Sequence, residues 1–159
     1  MKNKKIIVAA SGYFDPIHSG HINYLRRAKN LGDELVVILN TDKQAKIKKG
    51  HHFMPVKVRK SILEAIKYVD RVFVSIDKDH SVVKSLGKVK PNIFAKGGDK
   101  NKVNIPEREI CKKLGIKIVD GLGSAIGKQS SSKIIKEYIL RKGCGECARK
   151  IWHRVKILK

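Results

Sequence analysis

The chain has 159 residues, 42% of them hydrophobic, and this length and composition suit one domain with a single core. Its 36 Lys and Arg residues outnumber 14 Asp and Glu, giving a formal net charge of +22 that favours anionic ligands. No run approaches the roughly 20 apolar residues that cross a bilayer, and the three cysteines are too few and odd in number for a disulfide framework, so the sequence predicts a cytoplasmic protein with reduced thiols.

Short apolar runs alternate with helical patterns along the chain. The runs predict buried strands at 5–10, 34–40, 71–75, 92–95 and 117–119. Apolar residues at helical spacing predict helices from Ser19 to a Gly32 cap, at 56–68, at 81–86, at 106–114 with a Gly115 cap, and from Ser130 onwards. The lysine-rich stretch 43–49 is predicted to be a loop. This order predicts an α/β fold, a Rossmann-like doubly wound parallel five-stranded sheet with ligands at the carboxyl ends of its strands.

The composition changes near residue 140. Residues 1–140 are predicted to form the domain, and residues 141–159 a basic C-terminal appendage with a short amphipathic helix. Cys144, Cys147 and His153 in this appendage could supply three zinc ligands, but the fourth would have to come from Cys111, a carboxylate or a second subunit. The alternative interpretation is a pair of reduced surface thiols, so no metal site is assigned.

The first strand leads into Gly-Tyr-Phe-Asp-Pro-Ile-His-Ser-Gly-His, which spans residues 12–21. His18 and His21 are three positions apart at a predicted helix start, so both project from its first turn beside unpaired backbone N–H groups. Gly20 lies between them and lets phosphates approach the backbone. The pattern predicts a phosphate site at this turn.

This turn resembles the cytidylyltransferase-like nucleotidyltransferases, whose mark is His-x-Gly-His preceded by Gly-x-Phe-Asp. The resemblance extends to about Tyr138 and is strongest to the ADP-heptose synthase and glycerol-3-phosphate cytidylyltransferase branch. It implies that His18 and His21 contact a nucleoside triphosphate and stabilise the transition state. It also implies that Tyr13, Phe14, Asp15 and Gly20 shape the nucleotide site.

The segment after the second strand resembles the same branch. Family members place a lysine here that bridges the attacking and leaving phosphates, and spacing favours Lys46, with Lys49 as the next choice. The resemblance also assigns Asp42, Lys49 and Arg59 to the acceptor substrate. A solvated run of charge is the alternative for most lysines of this stretch.

Two later segments complete the predicted nucleotide site. Lys-Gly-Gly-Asp at 96–99 resembles the ADP-heptose synthase branch and assigns Gly97 and Asp99 to the ribose or base. Gln129, Ser130, Ser131 and Ser132 open the last helix. Serines at a helix start are ordinarily caps, but the family's corresponding segment binds the nucleotide phosphates.

The resemblance implies transfer of a nucleoside monophosphate from ATP or CTP, with Mg²⁺, to a phosphorylated small molecule, with release of pyrophosphate. A sugar phosphate such as heptose 1-phosphate is the expected acceptor. Glycerol 3-phosphate or another phospho-alcohol, FMN and nicotinate mononucleotide are alternatives. A non-catalytic RNA-binding or anion-binding protein on the same fold is a further alternative, although nucleic-acid contact is not favoured. The family also suggests a homodimer, and no membrane partner is expected.

Overall fold

A computed structural model describes residues 5–97, 106–123 and 130–141. Strands and helices alternate throughout these segments. The strands are β1 (Ile7–Gly12), β2 (Glu34–Leu39), β3 (Arg71–Val74), β4 (Ile93–Ala95) and β5 (Lys117–Val119). The helices are α1 (Ser19–Lys29), α2 (Asp42–Lys49), α3 (Val56–Glu64), α4 (Val83–Val89), α5 (Glu107–Leu114) and α6 (Ser131–Arg141).

The strands form one parallel sheet in the order β3-β2-β1-β4-β5. One face packs on α1 and α3 through residues such as Leu25 and Leu63, and the other packs on α4 and α5 through Leu86 and Cys111. The predicted Rossmann-like, doubly wound five-stranded sheet is therefore confirmed. The strand order reverses between the paired strands β1 and β4, so the segments that follow them lead to helices on opposite faces of the sheet. A crevice opens between these segments at the carboxyl ends of the two strands.

The stretch 43–49 is a helix, and the prediction of a loop was wrong. The Thr41 hydroxyl accepts the Gln44 N–H while the Gln44 side chain accepts the Thr41 N–H, and Gly50 ends the helix in the left-handed conformation. These caps satisfy the orphan groups at both helix ends. Helix α2 thus begins directly after β2, beside the carboxyl end of β1.

Other boundaries differ from the predictions, most clearly at the ends of two helices. Helix α1 ends at Lys29 with Asn30 as its cap, whereas Gly32 lies against β1, where a Cβ would come within 2.8 Å of the Ile6 carbonyl oxygen. Helix α3 ends at Glu64, four residues before the predicted end. Gly115 caps α5 in the left-handed conformation, as predicted. None of the helices in the described segments is long and apolar enough to cross a membrane.

Candidate active site

The turn between β1 and α1 brings the two histidines into direct contact. His18 is the N-cap residue of α1 and His21 lies within its first turn. Their ring centroids are 3.7 Å apart with an interplanar angle of 25°, and the buried Phe14 ring meets His21 at 5.0 Å in an edge-on arrangement. Gly12 allows this packing, because a Cβ at that position would come within 3.0 Å of the Phe14 ring.

A cavity of about 490 Å³ opens at this turn, between the carboxyl ends of β1 and β4. A volume of this size lies in the range of small-molecule sites. Its walls come from the first turn, the last residue of α2, the end of β4, the segment after β5 and the start of α6. Its described lining residues are Ser11, Gly12, Phe14, His18, Gly20, His21, Tyr24, Lys49, Lys96, Gly97, Gly123, Ser130, Ser131 and Ser132.

The start of α6 docks on the histidine turn, although the two segments are far apart in sequence. The Ser131 hydroxyl donates to the Pro16 carbonyl oxygen at 2.9 Å, and the Ser130 hydroxyl accepts the Lys133 N–H at 3.2 Å. The structure therefore brings the histidine pair and the serines of α6 to one cavity. Two helix N-termini, those of α1 and α6, meet there with their positive dipole ends, which favours an anion.

Lys49, not Lys46, reaches the cavity. The Lys49 ammonium donates to the Asp15 carbonyl oxygen at 3.3 Å and lies 5.3 Å from the centre of the Tyr13 ring. Lys46 is exposed and is not among the residues that line the cavity. The sequence placed Lys46 first for the phosphate-bridging role, and the structure places the second choice, Lys49, beside the histidines.

Burial, with a smaller contribution from neighbouring basic groups, lowers the pKa values of the basic residues of the cavity. Burial, His18 and Lys49 together lower the pKa of His21 to about 3. Burial and Lys49 lower the pKa of His18, and burial lowers the pKa of Lys49. Both imidazoles are therefore neutral near pH 7. Because a nearby anion would favour the charged forms of all three groups, the cluster is suited to a phosphate ligand.

Arg59, which was predicted to bind the acceptor substrate, is not among the residues that line the cavity. Its side chain is fully buried, and the guanidinium donates to the carbonyl oxygens of Met54 at 2.9 Å and of Tyr13 and Asn40 at 2.8 Å each. It also donates to the Asp42 carboxylate at 2.6 Å. Through these hydrogen bonds, Arg59 and Asp42 connect the ends of β1 and β2, the start of α2 and the loop before α3. The same bonds leave the guanidinium no surface for a ligand.

Asp15 and Tyr13 lie next to the cavity. The buried Asp15 carboxylate accepts the N–H groups of Phe53 and Met54, both at 2.7 Å, so it fixes the loop before α3. The Tyr13 hydroxyl is buried without a hydrogen-bond partner among the described residues, and burial and the charge of Glu107 raise its pKa. Neither residue is among those that line the cavity.

Close backbone packing shapes the floor of the cavity at the end of β4. Gly97 lies on the ring of Tyr24, which bridges the sheet by donating to the Ala95 carbonyl oxygen at 2.8 Å. A Cβ at Gly123 would come within 2.2 Å of the Gly97 carbonyl oxygen, so only glycine fits there. The predicted site residues Asp99 and Gln129 lie outside the described residues, as do Cys144, Cys147 and His153.

Lys96 is a site residue that the sequence analysis missed. It lines the cavity at the end of β4, and its ammonium lies 3.6 Å from the Glu107 carboxylate of α5. The available signal was its position, because Lys96 directly follows a buried strand and precedes Gly97. Among the described lining residues, Lys49 and Lys96 are the permanent cations.

Residues 9–137 match the family model "Cytidylyltransferase-like". The chain belongs to this family of nucleotidyltransferases, and the predicted resemblance is confirmed. The FAD synthase of Pyrococcus abyssi is 37% identical over 117 residues, which cover 73% of this chain and 78% of that enzyme. The FAD synthase of Ferroglobus placidus is 40% identical over 110 residues, which cover 69% of this chain and 70% of that enzyme.

A second group of relatives is longer. The bifunctional protein HldE of Pelobacter propionicus is 33% identical to this chain over 139 residues. These residues cover 86% of this chain but only 28% of HldE. Among solved structures, the lipopolysaccharide core biosynthesis protein of Thermoplasma volcanium is 31% identical with a TM-score of 0.63, covering 80% of this chain and all of that one. The chain is thus similar both to FAD synthases and to one part of HldE.

Proposed function

We propose that the protein transfers the AMP group of ATP to the phosphate of FMN and releases pyrophosphate. The observation that carries this proposal is the hydrogen bond from Ser131 to Pro16, which holds the serines of α6 against the histidine turn in one cavity. The FAD synthases support the acceptor and the donor, because they match this chain over about two thirds or more of their own length at 37% identity or higher.

The triphosphate is assigned to the side of the cavity formed by the two helix N-termini. His18, His21 and Gly20 lie on α1 and its cap, and Ser130, Ser131 and Ser132 face them from α6. Backbone N–H groups and hydroxyls at a helix start suit phosphate oxygens. The described lining residues include no carboxylate, so Mg²⁺ is expected to arrive with ATP, held by nucleotide oxygens and water.

The acceptor phosphate is assigned to the space between the two lysines. Lys49 approaches from α2 and Lys96 from the end of β4, and the Lys49 ammonium lies over the ring of Tyr13, whose hydroxyl has no hydrogen-bond partner among the described residues. A phosphate monoester is dianionic above pH of about 6, so its oxygen is already a nucleophile and no strong general base is needed.

The reaction then consists of positioning and charge neutralisation. An oxygen of the acceptor phosphate attacks the α-phosphorus of ATP, a new phosphoanhydride bond forms, and the bond to the bridging oxygen of the β-phosphate breaks. Pyrophosphate leaves with that oxygen. Lysines and helix N-termini that are fixed before the reaction stabilise the negative charge on the transferring group.

A sugar phosphate such as heptose 1-phosphate is the second candidate acceptor. It is favoured by the 38% identity to the HldE of Streptomyces coelicolor over 69% of this chain and by the likeness to the Thermoplasma volcanium lipopolysaccharide core biosynthesis protein. Both candidates use the same phosphate chemistry, so they differ only in what lies beyond the acceptor phosphate.

The test is a matrix of two donors against several acceptors, with pyrophosphate release as the readout. ATP and CTP are each combined with FMN, heptose 1-phosphate, glycerol 3-phosphate and nicotinate mononucleotide, and FAD is identified by chromatography. We expect ATP with FMN to give the highest kcat/KM. A preference for ATP with heptose 1-phosphate would transfer the proposal to the second candidate, and no release in any combination would refute both. The homodimer expected from the family is checked separately by light scattering.

A further inference from the structure

We propose that Glu107 is a positioning residue for the reaction, because its carboxylate holds the Lys96 ammonium beside the cavity for the acceptor phosphate. This inference rests on the proposed function for the identity of the acceptor. It adds to the site a residue of α5 that is not itself among the described lining residues.

Glu107 is a carboxylate that the fold buries and fixes. It is the first residue of α5, and only 7% of its surface is exposed. One carboxylate oxygen accepts the N–H of Val82, the residue that caps α4, at 3.2 Å, and the other lies 3.6 Å from the Lys96 ammonium. A carboxylate is rarely buried unless it is paired, and here Lys96 is its cationic partner.

The geometry of this pair leaves Lys96 able to bind a ligand. At 3.6 Å the ammonium and the carboxylate attract each other, but the distance is too long for a hydrogen bond. Glu107 therefore uses none of the three N–H donors of the ammonium. The ammonium also lies 5.6 Å from the centre of the buried Phe94 ring, and 23% of the Lys96 side chain is exposed. Two contacts thus restrict a flexible side chain that keeps its donors for a phosphate.

Glu107 also acts on the segment that carries the second lysine of the acceptor space. Burial, followed by the charge of Glu107, raises the pKa of Tyr13, and the Lys49 ammonium lies 5.3 Å from the centre of the Tyr13 ring. Lys49 and Lys96 both line the cavity, whereas Glu107 is not among its described lining residues. The carboxylate can therefore fix Lys96 without taking the place of the acceptor phosphate.

Positioning and simple neutralisation of Lys96 lead to opposite expectations. A lysine side chain has many rotamers, and the entropy lost when a ligand orders it weakens binding unless the protein has ordered it beforehand. If Glu107 positions Lys96, removal of the carboxylate weakens acceptor binding. If Glu107 only cancelled the charge of Lys96, its removal would release a cation and strengthen acceptor binding.

A double-mutant cycle separates these roles, measured with the acceptor that the matrix of donors and acceptors identifies. Glu107→Gln removes the charge but keeps an oxygen for the Val82 N–H. We expect it to raise the KM for the acceptor by about 10-fold, as for residues in direct contact, and to leave the KM for ATP within about 2-fold of the wild type. In a Lys96→Met background, the same substitution is expected to change the acceptor KM by less than about 2-fold, because Glu107 acts through Lys96.

Glu109→Gln, at an exposed position of the same helix, is the matched control and should leave both KM values unchanged. An acceptor KM that falls or stays the same in Glu107→Gln would overturn the proposal, and so would an equal rise with and without Lys96. If thermal unfolding shows Glu107→Gln to be unfolded, Glu107→Asp replaces it. That variant withdraws the carboxylate by one methylene and is expected to raise the acceptor KM by about 3-fold, and no rise would contradict the proposal.

Acetylation of Lys96 by acetic anhydride tests the ion pair without turnover. The rate is measured at pH 8 in the ligand-free protein by peptide mass spectrometry. Because a carboxylate that holds an ammonium slows its acetylation, we expect Lys96 to react about 3-fold faster in Glu107→Gln and at the wild-type rate in Glu109→Gln. Equal rates in all three proteins would overturn the proposal. Since this measurement needs no substrate, failure of the proposed function, seen as absence of pyrophosphate release, is distinguishable from failure of the role of Glu107.

Discussion

Two basic sites lie side by side at the carboxyl ends of β1 and β2, and they differ in whether their basic groups have acceptors within the protein. In the first, Arg59 is buried and donates to three carbonyl oxygens and the Asp42 carboxylate. In the second, His18, His21 and Lys49 line a cavity, and burial lowers the pKa values of all three, with Lys49 adding to the effect on both histidines. A buried cation with a full set of acceptors holds loops in place, whereas a lysine and two neutral imidazoles around a cavity leave positive charge and hydrogen-bonding groups for an anionic ligand.

Removal of the Arg59 guanidinium is expected to have the largest effect on stability. Arg59→Leu leaves three carbonyl oxygens and the Asp42 carboxylate without their donor, so the free energy of unfolding is expected to fall by about 3–5 kcal/mol. Urea denaturation measures this loss in the free energy of unfolding. Lys60→Leu on the same helix, which removes only an exposed pair with Glu64, should change stability by about 0.5 kcal/mol or less. Equal losses in the two variants would show that Arg59 does not hold these loops.

Lys49 and Lys46, two of the four lysines of α2, provide a matched pair for catalysis. Lys49→Met removes a cation that lines the cavity and is expected to lower kcat/KM by about 100-fold. Lys46→Met removes an exposed charge from the same helix and is expected to change kcat/KM by less than about 3-fold, through long-range electrostatics alone. Steady-state pyrophosphate release measures both. A greater loss at Lys46 would restore the assignment favoured by sequence spacing.

The pH dependence of stability should report the lowered pKa of His21. At pH 8 His21 is neutral in both states, but at pH 5 it is protonated in the unfolded chain and still neutral in the fold, where its pKa is about 3. Stability is therefore lost as pH falls through the unfolded pKa of about 6.5, by about 2 kcal/mol at pH 5. His21→Gln should remove that part of the difference between the melting temperatures at pH 8 and pH 5. An unchanged difference would contradict the depressed pKa.

The contact between α6 and the histidine turn is expected to make a small contribution to the free energy of unfolding. Ser131→Ala removes the donor to the Pro16 carbonyl oxygen and should lower the free energy of unfolding by about 1 kcal/mol. This corresponds to a fall in melting temperature of roughly 2–4 °C. Ser132→Ala, at an exposed neighbouring residue, is the control and should unfold like the wild type. If both variants unfold at the wild-type temperature, the docking of α6 does not depend on this hydrogen bond.

The sheet could be predicted because its strands are continuous apolar runs, and the first turn because its ten residues carry a specific motif. Helix α2 was missed because its buried residues are only Gln44 and Ala45, so no apolar periodicity marks it. Thr41, Gln44 and Gly50 did carry capping signals. The burial of Arg59 could not be predicted, since a sequence does not reveal which charged residue is buried or which carbonyl groups surround it.

The central claim is that the cavity transfers a nucleotide and not a terminal phosphate, and the path of an isotopic label tests it most directly. ATP labelled at the α-phosphorus and ATP labelled at the γ-phosphorus are each incubated with the protein, Mg²⁺ and FMN. We expect the α label to appear in FAD and the γ label in pyrophosphate, in equal amounts. Label from the γ-phosphorus in the acceptor, or hydrolysis of ATP with no labelled FAD or other nucleotidylated acceptor, would contradict it.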